Sequence, residues 1–113
     1  MSHATVRILV VDDEPPIRKL LDVGLSSQGF AVRGAPNARS AIEMVQADVP
    51  DLVLLDLGLP DMRGHDLLAL WRSENVPFPV IILSSRTDEA GIVQALERGA
   101  DDYVTKPFGM NEL

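Results

Sequence analysis

Five side chains, widely spaced along the chain, have the types needed for chemistry on a phosphoryl group. They are the carboxylates of Asp12, Asp13 and Asp56, the hydroxyl of Ser84 and the ammonium of Lys106. Each closes a short apolar run: "VVDDE", "LLD", "ILSS" and "VTKPF". A carboxylate such as Asp56, ending the buried-looking stretch "DLVLLD", needs a physical reason to be there. If the run ends meet, three carboxylates lie together, and each pair at ~4 Å costs about 4 kcal/mol at an effective dielectric near 20. Positive charge must offset that repulsion. Oxygen donors without His or Cys suit Mg²⁺, a hard ion that keeps several waters and shares its shell with phosphate. Lys106 adds a second cation and Ser84 a hydroxyl donor. A carboxylate, a divalent metal, an ammonium and a hydroxyl make a phosphoryl-transfer site, in which the carboxylate attacks phosphorus and the others hold its equatorial oxygens.

The elements that would bring these residues together follow from periodicity. Runs rich in β-branched residues and Leu at 6–11, 30–34, 51–56, 79–84 and 101–106 predict five strands. Between the first two, Ile17, Leu20, Leu21, Gly24 and Leu25 recur at helical steps, and Gly29 stops the helix. Asn37 is placed to cap a second helix with Ala41, Ile42, Val45 and Gln46 on its inner side. A third runs from about Gly64 through Leu67, Leu68, Leu70 and Trp71. A fourth spans about 88–98, with Ile92, Val93, Ala95 and Leu96 as its apolar face and Gly99 at its end. The alternation of strand and helix predicts an α/β fold, doubly wound, with a parallel sheet and helices on both faces. Strands one, three and four are nearly continuous apolar runs and belong in the middle. The second carries Arg33 and fits an edge. In a parallel sheet all C-terminal strand ends share one rim, where ligands sit, so the five polar residues converge there.

Composition narrows the function classes. A chain of 113 residues with 46% hydrophobic content and mean hydropathy +0.10 fits one globular domain, without internal repeats or low-complexity tracts. The formal net charge of -7 disfavours binding nucleic acid or an anionic membrane through the overall field. Without cysteine there is no disulfide framework and no thiolate metal site. The run from Val6 to Val11 is too short for a signal-peptide core or a membrane span, so a soluble, cytoplasmic protein is expected.

The four pieces "VVDDE", "LLDLGLPD", "IILSS" and "GADDYVTKPF", in this order at strand ends, resemble the receiver domain of two-component response regulators over essentially the whole chain. The resemblance implies a five-stranded sheet of order 2-1-3-4-5, the flavodoxin and CheY arrangement. It implies that Asp56 accepts a phosphoryl group from a sensor histidine kinase. It further implies that Asp13 ligates Mg²⁺ directly, Asp12 mainly through water, and Gly58 through its backbone carbonyl. Ser84 and Lys106 would contact the phosphoryl group. Tyr103 would be the aromatic switch, turning inward as the Ser84 hydroxyl moves. Lys106-Pro107 would be a cis peptide aiming the Lys106 backbone at the site. Gly58 and Arg86 occupy positions that modulate phosphoryl lifetime. On this reading the chain is a regulatory phosphoacceptor rather than an enzyme.

Within the family, "DLGLPD" and "KPFGMNEL" look most like the winged-helix (OmpR/PhoB-type) transcription regulators, notably those of potassium-transport operons. Such regulators dimerise through the fourth helix, fifth strand and fifth helix, using charges between protomers. Asp101, Asp102 and Glu112 match the acidic partners, whereas Ile92 stands where Lys or Arg is usual. Gly91 also departs from the pattern, and a helix-interior Gly costs about 1 kcal/mol relative to Ala, which predicts a loose fourth helix. "FGMNEL" reads as only the first turn of a truncated fifth helix. The expectation is therefore a receiver over 1–113 belonging to a longer regulator, whose DNA-binding effector domain lies outside this chain.

Other assignments compete. Asp12 or Asp13 alone would often be a helix cap, Ser84 a turn residue, Lys106 a solvated charge and Tyr103 a packing residue. Asp88 reads as the cap of the fourth helix. His3 and His65 read as surface residues, and Met44, Met62 and Trp71 as packing. A haloacid-dehalogenase-type phosphatase needs a second Asp two residues after its nucleophile, where this chain has Gly58. A Rossmann module needs a Gly-rich turn where "VVDDEPP" stands. A pseudo-receiver acting purely as an interaction module would lack Asp56 or Lys106.

Overall fold

The computed structural model describes residues 5–85 and 88–106. Expectations for His3, Arg86, Pro107, Glu112 and the fifth helix fall outside these residues. Five strands, β1 (Arg7–Val11), β2 (Ala31–Ala35), β3 (Leu52–Asp56), β4 (Val80–Ser85) and β5 (Asp102–Lys106), alternate with four helices. The helices are α1 (Pro15–Ser26), α2 (Ala38–Ala47), α3 (Gly64–Ser73) and α4 (Glu89–Glu97). All pairings are parallel, in the order β2-β1-β3-β4-β5. The three central strands are the apolar runs. β2 and β5 form the edges and are the least buried.

Strand alternation divides the interior into two layers. Leu9, Val11, Val53, Leu55, Val80 and Ile82 face α2 and α3, packing on Leu67, Leu68 and Trp71. Trp71 meets Phe78 edge-on at 5.2 Å between ring centres. Ile8, Val10, Leu54 and Leu83 face α1 through Leu21 and Leu25. Met44 and Met62 pack at the margin of the larger layer, as expected.

The helical stripes are narrower than the sequence pattern predicts. On α1, Leu20 is 45% exposed while Ile17, Leu21 and Leu25 turn inward. Gln46 is exposed on α2, and Leu70 lies at the outer edge of α3. On α4, Gly91, Ile92 and Ala95 are buried, whereas Val93 and Leu96 are exposed. One helix against one sheet covers only about a third of its circumference, so apolar residues at the stripe's flanks stay outside.

Local signals set the helix ends. Pro15 and Pro16 open α1, where a missing N–H costs nothing. The Asn37 side chain accepts from Ser40 N at 2.8 Å, and the Asp61 carboxylate accepts from Ala38 N and Arg39 N at 2.9 and 3.0 Å. Three of the four orphan amides of α2 are thus satisfied, two of them from the loop after β3. That tie holds the Asp61 carboxyl below its ordinary range, through the amides of Ala38 and Arg39.

Gly64 starts α3 directly against the end of β3. A Cβ there would stand 2.7 Å from the Asp56 carbonyl oxygen and 2.7 Å from Leu57 Cα. Both obstacles are backbone. Gly64→Ala is therefore expected to lower stability by roughly 2 kcal/mol or more, an overpacking cost, measured as a lower urea midpoint; an unchanged midpoint would show that α3 can shift freely from the rim.

Candidate functional site

The rim formed by the ends of β1, β3 and β5 carries Asp12, Asp56 and Lys106. Lys106 Nζ donates to Asp12 Oδ2 at 2.7 Å and to Asp56 Oδ1 at 3.2 Å, with Glu14 Oε2 at 3.9 Å. One ammonium thus spans two carboxylates from strands separated by 44 residues in sequence. Asp12 is fully buried, and its other oxygen accepts from Glu14 N at 2.9 Å. The Asp12 carbonyl is held by Arg18 Nη1 at 2.7 Å, pinning the β1–α1 turn. Asp13 is exposed beside it.

Carboxylate oxygens of Asp12, Asp13 and Asp56 lie within 4.8 Å of one another. The donor set contains oxygen alone, is strongly anionic and is open to solvent on the Asp13 side, which fits a hard divalent ion. Asp12 has committed both oxygens to Lys106 and Glu14, leaving Asp13 and Asp56 as the more available pair. Gly58 is exposed beside that pair, and a Cβ built on it would stand in ordinary contact with Asp56 Oδ2 at 3.8 Å.

The electrostatics match this crowding. Burial raises the Asp56 carboxyl above its ordinary value, the charges of Asp12 and, less strongly, Asp13 push the same way, and Lys106 opposes them. Burial works against the Lys106 ammonium, but Asp12 and Asp56 outweigh it and hold Lys106 above its ordinary value. The raised Asp56 carboxyl marks an arrangement that opposes folding at Asp56.

Ser84 is buried beside this cluster, one residue beyond the Leu83 that pairs with Asp56. Its Oγ donates to Asp88 Oδ2 at 3.2 Å. Asp88 Oδ1 accepts from Gly91 N at 3.2 Å, so Asp88 caps α4 as expected. Gly91 is not a weak point in the helix interior: it lies in the first turn, where a Cβ would collide with the Asp88 carboxylate. Tyr103 is 44% exposed and lines a groove of about 550 Å³ with Glu89, Ile92, Val93, Leu96 and Thr105. Asp101 binds Arg72 Nη2 at 2.9 Å and Val80 N at 2.8 Å within the chain.

His65 corrects the sequence reading. It is 4% exposed, not a surface residue. Its Nε2 lies 2.8 Å from the Gly91 carbonyl, which can only accept, and its Nδ1 lies 3.3 Å from Arg63 Nη2, which can only donate. Nε2 therefore carries a proton that it donates to that carbonyl. His65 directly follows Gly64, at the start of α3 where side chains face α4. A position judged only by distance from strand ends gave no sign of that contact.

Comparison with known proteins decides the family. The model of the response regulator receiver domain matches residues 8–113. The chain belongs to the response regulator receiver domain family. The receiver is 50% identical over 106 residues to "Transcriptional regulatory protein KdpE" of Mycobacterium tuberculosis, covering 94% of this chain and 46% of that protein. It is 43% identical to "Virulence transcriptional regulatory protein PhoP" of Salmonella typhimurium, covering 96% of this chain and 48% of PhoP. It thus spans about half the length of these relatives. The chemotaxis protein CheY4 of Vibrio cholerae superposes with TM-score 0.88 at 25% identity, over 96% of this chain and 92% of CheY4. The relatives are transcription regulators, as the "DLGLPD" resemblance implied. Among the described residues, no helix is long and apolar enough to cross a membrane.

The receiver's crowded rim has a measurable cost. A carboxyl raised in the folded state binds protons more readily there than in the unfolded chain, so stability from this site falls as pH rises through that interval and stays low above it. Asp56→Asn, measured without divalent cations, is expected to stabilise the fold at pH 7 by roughly 1 kcal/mol. The gain should shrink as pH falls into the ordinary carboxylate range, where Asp56 is protonated in both states. Urea midpoints from pH 3 to 8 test this, and a pH-independent gain would assign it to something other than charge.

Proposed function

We propose that this receiver takes a phosphoryl group onto Asp56 from a histidine kinase and, as part of a longer cytoplasmic regulator, passes the change to an attached DNA-binding effector. The observation that carries this reading is one ammonium, Lys106, 3.2 Å from the Asp56 carboxylate and 2.7 Å from Asp12, in a set of three clustered aspartates. An ordinary surface acid has no such surroundings.

In the transfer, an Asp56 oxygen forms a bond to phosphorus as the N–P bond of a kinase phosphohistidine breaks, and the departing imidazole keeps the electron pair and takes up a proton. Burial and the neighbouring acids keep Asp56 more basic than an exposed carboxylate, which favours attack. Lys106 sits within reach of the incoming equatorial oxygens. The ion would be held by Asp13 and Asp56, with Asp12 behind them through water and the Gly58 carbonyl as a further donor. Bound there, Mg²⁺ supplies positive charge that screens the carboxylates from each other and from the phosphoryl group. Ser84 would then donate to a phosphoryl oxygen, with Tyr103 turning from its exposed position toward the vacated space. The exposed groove beside Tyr103 is the face through which two receivers would pair, its Val93 and Leu96 supplying apolar area.

Acetyl phosphate with Mg²⁺ should add one phosphoryl group to the wild-type chain by intact mass, and none to Asp56→Asn. Lys106→Ala should slow the reaction by about 10²-fold, the usual effect of removing one donor to developing charge. Beryllium fluoride should bind in the same Asp56- and Mg²⁺-dependent way. A wild-type chain without adduct, or an adduct surviving in Asp56→Asn, would sink the assignment of Asp56 as phosphoacceptor.

A further inference from the structure

A serine hydroxyl has one proton to donate, and in this structure Ser84 gives it to Asp88. Asp88 is held in place twice. Its Oδ1 is fixed by the Gly91 amide, and the absence of a side chain at Gly91 leaves room for its carboxylate. His65, from α3, donates to the carbonyl of the same Gly91 and anchors that turn from the other side. The two carboxylate oxygens of Asp88 thus have separate tasks, one capping α4 and the other holding the Ser84 proton.

We propose that Asp88 is a positioning residue that latches the Ser84 hydroxyl to α4, so that Asp88 and a phosphoryl group on Asp56 compete for a single proton. This rests on Asp56 being the phosphoacceptor. When the phosphoryl group takes the proton, Oδ2 of Asp88 loses its Ser84 partner and the start of α4 is held to β4 by one bond fewer. Coupling is reciprocal: whatever weakens the latch strengthens phosphoryl binding by the same factor. The α4 turn is thereby connected to Ser84 through two hydrogen bonds, and a phosphoryl group on Asp56 would meet that chain at the Ser84 hydroxyl.

Asp88→Asn separates the two tasks. Its amide oxygen can still accept from Gly91 N, while its NH₂ can donate to Ser84 but not accept, which frees the hydroxyl proton. Glu89→Gln removes the same charge one residue along, without contact to Ser84, and measures the field effect alone. In the metal-free chain, NMR should show Ser84 hydroxyl exchange at least about tenfold faster in Asp88→Asn, with Gly91 amide protection unchanged. With Mg²⁺ and beryllium fluoride, calorimetry should give an affinity about fivefold tighter than that of Glu89→Gln. Gly91→Ala, which expels the Asp88 carboxylate, should tighten binding in the same direction. Wild-type hydroxyl exchange in Asp88→Asn, loss of Gly91 protection, or an affinity no tighter than that of Glu89→Gln overturns the latch. Failure of the wild type itself to bind beryllium fluoride overturns the phosphoacceptor reading and the latch with it; binding by wild type with no effect of Asp88→Asn overturns the latch alone.

Discussion

The contact on which the site depends is the ammonium of Lys106 set between Asp12 and Asp56. Asp12 is fully buried and Asp56 nearly so, and two carboxylates in that position repel strongly. The cation opposes burial first and the neighbouring acids second, and Asp56 remains more easily protonated than an ordinary aspartate. This residual imbalance makes the rim receptive to further positive charge. A better-neutralised site would be more stable and would attract a cation less strongly. The receiver thus accepts a local destabilisation that the three apolar central strands are able to carry.

Much of the fold can be read from the chain because its physical signals are local and mutually consistent. Central and edge strands differ in apolar content, Asn37 and Asp88 cap helices where their types predict, and Gly29 and Gly99 end helices with positive φ of 94° and 110°. The rim residues were legible for a topological reason: parallel strands send all their ends to one side. The strand order itself rested on resemblance, since periodicity marks β2 as an edge but does not order the central strands.

What was not legible depends on contacts between elements distant in sequence. His65 looks like a surface residue until α3 and α4 are placed side by side, 26 residues apart at the His65–Gly91 contact. The exposure of Leu20, Val93 and Leu96 has the same origin, because periodicity gives a stripe's direction but not its width. Asp61 stood in the quoted "DLGLPD" without a role, and its work is structural: it caps α2 from the loop that leaves Asp56. Glu14 and Arg18 shape the β1–α1 turn around Asp12, and their positions along the sequence do not reveal which backbone groups they meet.

These tertiary contacts make the rim a mechanical part of the domain rather than a cluster laid on its surface. The loop after β3 bears Asp56 at one end and Asp61 at the other, so displacement at Asp56 is opposed by the cap of α2. Gly64 presses α3 against the Asp56 carbonyl, leaving little freedom on that side. On the β4 side the Ser84 hydroxyl donates to Asp88 and the Asp88 amide donates to the Ser85 carbonyl, both at 3.2 Å and longer than the 2.7 Å contact of Lys106 with Asp12. The ends of β1 and β3 are thus braced by Arg18, Asp61 and Gly64, while β4 meets the start of α4 through the Ser84 and Ser85 bonds to Asp88.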